Sequence, residues 1–145
     1  MTAPMRHHMS AEAQQFNWLL SQFAVDTPGV IHVIAVSSDG LLIAMSERME
    51  RSSADRLAAI TSAFISLANG TSTVYDLGET NKVVVDLDRG YLLVSSIGAG
   101  SMLGVLATRS AKLGTLAYEM AMFGNRTGAV LTPQLVEELK ASVES

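Results

Sequence analysis

A glycine-rich segment from Gly98 to Gly104 is the first pattern that could do chemistry, because closely spaced glycines let backbone amides approach a phosphate. A dinucleotide-binding turn needs its third glycine where Leu103 stands, and it needs a helix to begin there. The residues that follow are instead apolar and typical of a strand. The segment therefore predicts a turn between strands, and no P-loop sequence occurs anywhere in the chain.

Histidine, aspartate and arginine side chains are the remaining candidates for metal binding or catalysis. His7 and His8 are adjacent near the N-terminus, and two imidazoles make an incomplete metal site. His32 lies inside a predicted strand without a recognisable Asp or Ser partner motif, which favours a structural role. Turn and surface roles are favoured for three aspartates: Asp76, Asp86 and Asp88. Because the chain has no cysteine and nothing marks Arg126 as an arginine finger, we predict no catalytic, cofactor-binding or metal-binding residue.

Composition and charge restrict the class of protein further. A net charge of -4, with no Lys/Arg run longer than a pair, disfavours binding to nucleic acid. A chain of 145 residues, of which 48% are hydrophobic and 17% charged, fits one globular domain. Its apolar stretches are interrupted short of the ~20 residues that span a bilayer, and its first residues lack an apolar signal core. We therefore expect a cytoplasmic protein without direct membrane insertion.

Hydrophobic periodicity and turn residues predict four helices and five strands. Ser10 is predicted to cap a first helix, Ser52 to cap a long middle helix that stops at Asn69-Gly70, and Ser110 to cap a third helix. A short fourth helix starts at Thr132. The strands are predicted at residues 30–36, 41–45, 82–87, 91–97 and 102–108. Hairpin turns make the sheet mainly antiparallel, and the domain is predicted at residues 10–124, between a flexible tail (1–9) and a C-terminal extension (125–145).

The middle helix carries two apolar faces about 100° apart. Large side chains form one face: Leu57, Ile60, Phe64 and Leu67. Mostly small side chains form the other: Ala54, Ala58, Thr61, Ile65 and Ala68. If the sheet covers the first face, the second can take a close-packed partner helix, which suggests a dimer. Coverage of the second face by the first or third helix of the same chain is the alternative.

Four segments together resemble the roadblock/LC7 domain in its actinobacterial form. They are Asn17-Trp18-Leu19-Leu20, Thr27-Pro28-Gly29-Val30, Val36-Ser37-Ser38-Asp39-Gly40-Leu41-Leu42 and the run from Gly98 to Ala107. The match spans about residues 12 to 124, and it depends on the order and spacing of these segments. The resemblance implies an α/β (α+β), profilin-like fold. Its five-stranded antiparallel sheet lies between the long middle helix and the first and third helices.

The resemblance also implies a homodimer joined through the middle helices and the strand at residues 82–87. Together with the small-residue face, it places seven residues at the interface: Ala54, Ala58, Thr61, Ile65, Ala68, Val83 and Val85.

The function that the resemblance implies is non-enzymatic regulation or scaffolding of a cytosolic small Ras-like GTPase in bacterial signalling. Similar proteins include the gliding-motility GTPase-activating protein, and a sensor-kinase-like protein is a further expected partner. Such partners could recruit the protein to a membrane. The outward side of the middle helix is the expected GTPase contact: Arg56, Ala59, Ala63 and Ser66. Alternatives are a sensor with a ligand pocket between sheet and helix, or a structural adaptor.

Overall fold

The structure, a computed structural model, describes residues 9–144 as one α/β domain. The predicted tail, except for Met9, and the His7-His8 pair lie outside the described residues. The elements follow the predicted order: α1 (Ala11–Asp26), β1 (Val30–Val36), β2 (Leu42–Met45), α2 (Arg51–Tyr75), β3 (Lys82–Leu87), β4 (Gly90–Gly98), β5 (Ser101–Thr108), α3 (Leu113–Thr127) and α4 (Pro133–Glu144).

All five strands form one antiparallel sheet in the order β2-β1-β5-β4-β3, which confirms the predicted sheet. Alternate residues of each strand point to opposite faces, so the sheet carries two cores. One core lies against α1, α3 and α4 and contains Phe16, Leu103 and Phe123. The other lies against α2 and contains Ile34 and Val94.

Two of the predicted helix starts are confirmed and two are wrong. The Ser10 hydroxyl accepts a hydrogen bond from the Ala13 amide at 3.1 Å, and the Thr132 hydroxyl accepts one from the Leu135 amide at 3.1 Å. By contrast, α2 begins one residue before Ser52, and α3 begins after Lys112 without a side-chain cap. Packing against the sheet supplies the stability of these two helices, so they form without a cap.

The middle helix also runs past its predicted stop. Gly70 lies inside α2, where it costs about 1 kcal/mol relative to alanine. The helix ends at Asp76, which has a φ of 54° and so takes the left-handed position expected for Gly70.

The C-terminal helix α4 lies against β2, one of the two edge strands. Leu135 and Leu139 are buried in the core that contains Phe16, whereas Val143 packs on the α2 side of the sheet. The helix therefore passes over the β2 edge from one face of the sheet to the other. The two edge strands therefore differ in exposure. Ile43 in β2 is fully buried, whereas every residue of β3 is at least partly exposed.

Polar contacts tie α4 to three other elements. The Glu138 carboxylate accepts hydrogen bonds from the backbone amide (2.5 Å) and hydroxyl (2.9 Å) of Ser10. The Arg51 guanidinium at the start of α2 donates to the Val143 carbonyl. In the β1–β2 turn, Asp39 accepts hydrogen bonds from the Ser37 hydroxyl and, at 2.9 Å, from the Lys140 ammonium.

The contact between α4 and the β1–β2 turn should make stability depend on pH. The Ser37 hydroxyl, and then the Lys140 ammonium, lower the pKa of Asp39 below its ordinary value. The carboxylate therefore stabilises the fold above about pH 4, and this contribution is lost as pH falls through the lowered pKa. We expect Asp39→Asn to melt at a lower temperature than wild type at pH 7, with the gap closing below about pH 4. Thermal melts from pH 7 to pH 2.5 measure this, with the exposed Glu47→Gln as control. A gap that does not change with pH would contradict the role of the carboxylate.

Candidate interaction surface on α2 and β3

The long helix packs on the sheet mainly through the predicted small-residue face, together with Leu57 of the large-residue face, which is 7% exposed. Ala54, Ala58 and Thr61 are buried within the chain. A Cβ placed on Gly104 in β5 would lie 2.8 Å from the Thr61 hydroxyl oxygen, so the helix and the strand approach closely at this point. The expectation that the sheet covers the large-residue face is therefore wrong except at Leu57, because small side chains let α2 approach the strand where β5 has no side chain.

This packing changes the assignment of the predicted dimer interface. Ala54, Ala58, Thr61 and Ile65 are covered by the sheet of their own chain and are not accessible to a partner. Three other predicted residues are partly exposed and remain predictions: Ala68, Val83 and Val85. The sequence signal for the true orientation was Gly104, since a glycine in a buried strand indicates close approach of another backbone.

Apart from Leu57, the large-residue face forms an apolar flank of α2 that residues 9–144 leave largely uncovered. Ile60 is 46% exposed and Leu67 is 72% exposed, and Phe64 between them is half-buried. At 100° per residue these three lie on one side of the helix, whereas Ser62, Ser66 and Asn69 lie on the other. One flank of α2 is therefore apolar and the other polar.

The hydropathy of α2 agrees with this exposed flank. An 18-residue window of the helix reaches a mean hydropathy of 1.2, enough by length and composition alone to cross a membrane, yet 17% of that window is buried within the chain. Contact with the sheet thus covers only a minor part of this window. A helix with this pattern is typical of one that packs against a second partner.

The sheet continues the apolar flank towards its open edge. Leu106 in β5 pairs with Leu92 in β4, which pairs with Val85 in β3, so these residues form a row on the α2 face. Leu106 and Val85 are only partly buried and pack against the same core as Phe64. We call the apolar surface formed by Ile60, Phe64, Leu67, Val83, Val85 and Leu106 the α2–β3 surface. His32 lies at the far end of this row, and its Nδ1 atom is buried with no hydrogen-bond partner in residues 9–144.

The residues predicted to contact a GTPase all lie at the surface. Arg56, Ala59, Ala63 and Ser66 are exposed on the side of α2 that points away from the sheet. Ala63 lies beside the apolar flank, whereas Ser66 lies towards the polar one. Their exposure leaves them accessible to a partner, and their role remains a prediction.

The structure places the candidates for chemistry apart from one another. Gly98 and Gly100 lie in the β4–β5 turn with φ values of 118° and 74°, and β5 follows directly, as predicted. Asp86 pairs with Arg109, whose guanidinium also lies 4.7 Å from the centre of the Tyr91 ring. Asp76 ends α2, Asp88 lies in the β3–β4 turn, and Arg126 is exposed in the last turn of α3. Across residues 9–144, no group of three or more His, Asp or Glu side chains is placed to hold a metal ion.

A groove of about 570 Å³ lies between the C-terminal half of α2 and the β4–β5 turn. Its walls include Asn69, Thr73 and Glu79, which are exposed, and Met102 from the sheet. A small-molecule site usually buries most of its ligand in a mainly apolar cavity. The groove is open and bounded by exposed side chains, so it would bury little of a ligand and supports a ligand site less well than the α2–β3 surface supports a protein interface.

The chain is similar to proteins of one domain family in sequence and in structure. The family model described as Roadblock/LC7 domain matches residues 16–107. A roadblock/LC7 domain from Streptomyces avermitilis is 36% identical, covering 77% of this chain and 92% of that chain, with a TM-score of 0.73. No curated protein matches.

Two more distant solved structures share the fold. MglB from Myxococcus xanthus is 16% identical, covering 89% of this chain and 96% of that chain, with a TM-score of 0.77. Profilin IA from Acanthamoeba castellanii is 14% identical, covering 79% of this chain and 98% of that chain, with a TM-score of 0.53. At these identities the likeness concerns the fold alone, and it matches the expected profilin-like architecture.

Proposed function

Because the chain belongs to the Roadblock/LC7 domain family, we propose that it is a non-enzymatic regulator or scaffold of a small Ras-like GTPase and that it acts as a homodimer. Regulation of GTPases is the function that the family suggests. Of the two distant relatives, MglB, which is described as a gliding protein, matches the fold better than profilin does. A sensor-kinase-like partner and a cytoplasmic location belong to the same proposal.

The observation that carries the proposal is the α2–β3 surface. Each large apolar side chain gains roughly 1.5–3 kcal/mol when it moves from water into a packed interface. In the single chain, Ile60 and Leu67 stay largely exposed to water and do not gain this stabilisation. Next to them β3 presents unpaired backbone groups on an open sheet edge, which favours addition of another strand. A second copy supplies both a helix flank and an edge strand at once.

Dimerisation would set two α2 helices side by side on one continuous sheet. The exposed residues Arg56, Ala59, Ala63 and Ser66 would then form one outward platform with contributions from both copies. Ala59 and Ala63 offer little steric obstruction, and Arg56 supplies a positive charge. A platform that contacts one nucleotide-dependent form of the GTPase more favourably by 1.4 kcal/mol binds that form ten times more tightly. Such a bias needs no catalytic residue in this chain.

A substitution on the outward side of α2 tests the GTPase contact. We expect wild-type protein to retain a GTPase from a lysate of its own cells in one nucleotide state, either with GDP or with a non-hydrolysable GTP analogue. Ala63→Glu should weaken binding to the purified GTPase at least tenfold, because a carboxylate would be buried without a partner. Ala121→Glu, the same substitution at an exposed position of α3, should leave the affinity unchanged.

Sedimentation at micromolar concentration separates the two parts of the proposal. A monomeric wild type would contradict the homodimer. Retention of no GTPase in either nucleotide state would contradict the GTPase function. Unchanged binding by Ala63→Glu, with the dimer intact, would show that the contact lies elsewhere on the protein.

A small-ligand sensor is the second candidate function, and the groove beside Asn69 and Thr73 is the observation that favours it. A metabolite bound there should raise the melting temperature, because ligands that bind the native state stabilise it by mass action. Thermal-shift screening of metabolites, repeated with Thr73→Trp to fill the groove, measures this. A stabilising compound whose effect Thr73→Trp does not reduce would argue against that groove.

A further inference from the structure

A groove lies between α1 and α3, on the side of the sheet opposite α2. The end of α1 adjoins the start of α3, since a Cβ placed on Gly29 would lie 2.7 Å from the Ala111 Cβ. The two helices therefore run antiparallel. The Phe123 ring of α3 contacts the Phe16 and Phe23 rings of α1, with centroids 5.9 Å and 5.6 Å apart. Along the outer side of these rings the groove has a volume of about 260 Å³.

An apolar floor and an exposed tryptophan characterise this α1–α3 groove. Leu19, Phe23 and Phe123 line it and are buried or half-buried. Trp18, the single tryptophan of the chain, also lines it and is 60% exposed. Tryptophan is enriched among the residues that dominate the binding energy of protein interfaces. The ring and the floor together offer a place for a large apolar side chain of a partner.

The α1–α3 groove carries opposite charges at its two ends. Asp26, the last residue of α1, and Glu119 of α3 lie towards one end. Arg126 lies seven residues after Glu119, about 10 Å along α3 and towards Trp18. Within residues 9–144 none of the three charged side chains forms an ion pair. Asp26 also lies at the negative end of the α1 macrodipole, and no basic residue of the last turn offsets it.

We propose that the α1–α3 groove docks an amphipathic helix of a partner protein, which carries a large apolar side chain between a basic and an acidic residue. The basic side chain meets Asp26 and Glu119, and the acidic one meets Arg126. Because about 10 Å corresponds to two helical turns, the two charges stand at i and i+7 and the apolar side chain at i+3 or i+4.

The walls of the groove favour a helix over an extended segment. Both walls are helices, so the groove offers no open strand edge that could pair with the backbone of an extended peptide. A helix satisfies its own backbone groups and presents only side chains to the groove. The groove and the α2–β3 surface lie on opposite sides of the sheet, so this docking site does not depend on the proposed homodimer.

Two lactam-bridged helical peptides without tryptophan test the docking site. A mixed peptide carries Lys at i, Leu at i+4 and Glu at i+7, and an acidic peptide carries Glu at both outer positions. Because Trp18 is the single tryptophan, its fluorescence reports binding, and burial of the ring shifts the emission to shorter wavelength. We expect the mixed peptide to cause this shift and to bind about tenfold more tightly than the acidic peptide at low salt.

Charge reversal in the protein should exchange this preference. Asp26→Lys with Glu119→Lys makes both ends of the groove basic, so the acidic peptide should then bind about tenfold more tightly than the mixed one. Arg126→Glu, a single exposed substitution, should weaken the mixed peptide about tenfold. Glu47→Lys with Glu144→Lys makes the same change of net charge as the first pair at exposed positions outside the groove, and it should keep the wild-type preference.

Each outcome of these titrations decides the proposal. The wild-type preference, together with its exchange in the charge-reversed variant, would support the docking site. Equal affinity of wild type for both peptides, or an exchanged preference in the control pair, would overturn the assignment of the helix. No shift in Trp18 emission up to about millimolar peptide would overturn the docking site itself. Self-association that shifts Trp18 emission and that Arg126→Glu weakens would show a second copy in the groove and overturn the partner helix.

Discussion

Replacing Leu139 with alanine should lower the free energy of unfolding by about 2–5 kcal/mol, the usual cost of removing a fully buried leucine side chain. Leu139 lies in α4, inside the predicted extension at residues 125–145, yet none of its surface is exposed. It packs in the same core as Phe16 and Leu103, so truncation would leave a cavity between α4 and the sheet. Urea unfolding of purified protein measures the change.

The control for this prediction is Gln134→Ala, at an exposed position of the same helix, which should change stability by less than about 0.5 kcal/mol. If Leu139→Ala were equally neutral, α4 would not contribute to the stability of the domain. The proposed boundary at residue 124 would then hold for folding as well. A large loss would place α4 inside the folding unit.

Gly104→Ala should destabilise the protein by about 1–3 kcal/mol through overpacking between α2 and β5. The new Cβ would meet the Thr61 hydroxyl oxygen at 2.8 Å, the Thr61 methyl group at 3.4 Å and the Ile34 side chain at 3.2 Å. Rotation of Thr61 gives no relief, because both of its branches lie near the same point. We therefore expect the helix or the strand to shift.

A double-mutant cycle with Thr61→Ala tests the cause of that loss. Removing both Thr61 branches should restore part of the stability, so the two substitutions together should cost less than the sum of their separate effects. Gly114→Ala is the matched control, since this helical glycine has no neighbour within 4 Å and alanine is the better helix former. Additive effects at Gly104 and Thr61 would show that the strain arises elsewhere.

The order of elements could be predicted because each signal was local. The β-branched run from Val30 to Val36 and the Asp39-Gly40 turn determine a hairpin without help from distant residues. Likewise, Ser10 and Thr132 mark helix starts through hydrogen bonds within one turn. The arrangement of the helices on the two faces of the sheet was predicted from the family resemblance, because no single segment determines it.

The orientation and the end of α2 could not be predicted locally. Either apolar face of the helix could pack on a sheet, and the choice depends on the gap that Gly104 leaves in another element. Its predicted stop at Gly70 failed because one glycine costs little when the residues around it continue the helix. The candidate site could therefore be identified only from the structure, because it includes the face of α2 that does not pack on the sheet.

The position of α4 has a consequence for how far an assembly of this chain can grow. A sheet with two free edges could add copies head to tail without limit, as filaments do. Here α4 lies over β2, so within the described residues 9–144 each copy offers one strand, β3, for pairing. Two copies joined through that strand, as the proposed homodimer requires, would leave no further open edge strand among residues 9–144, so the assembly would be self-limiting: an isologous pair with closed point symmetry.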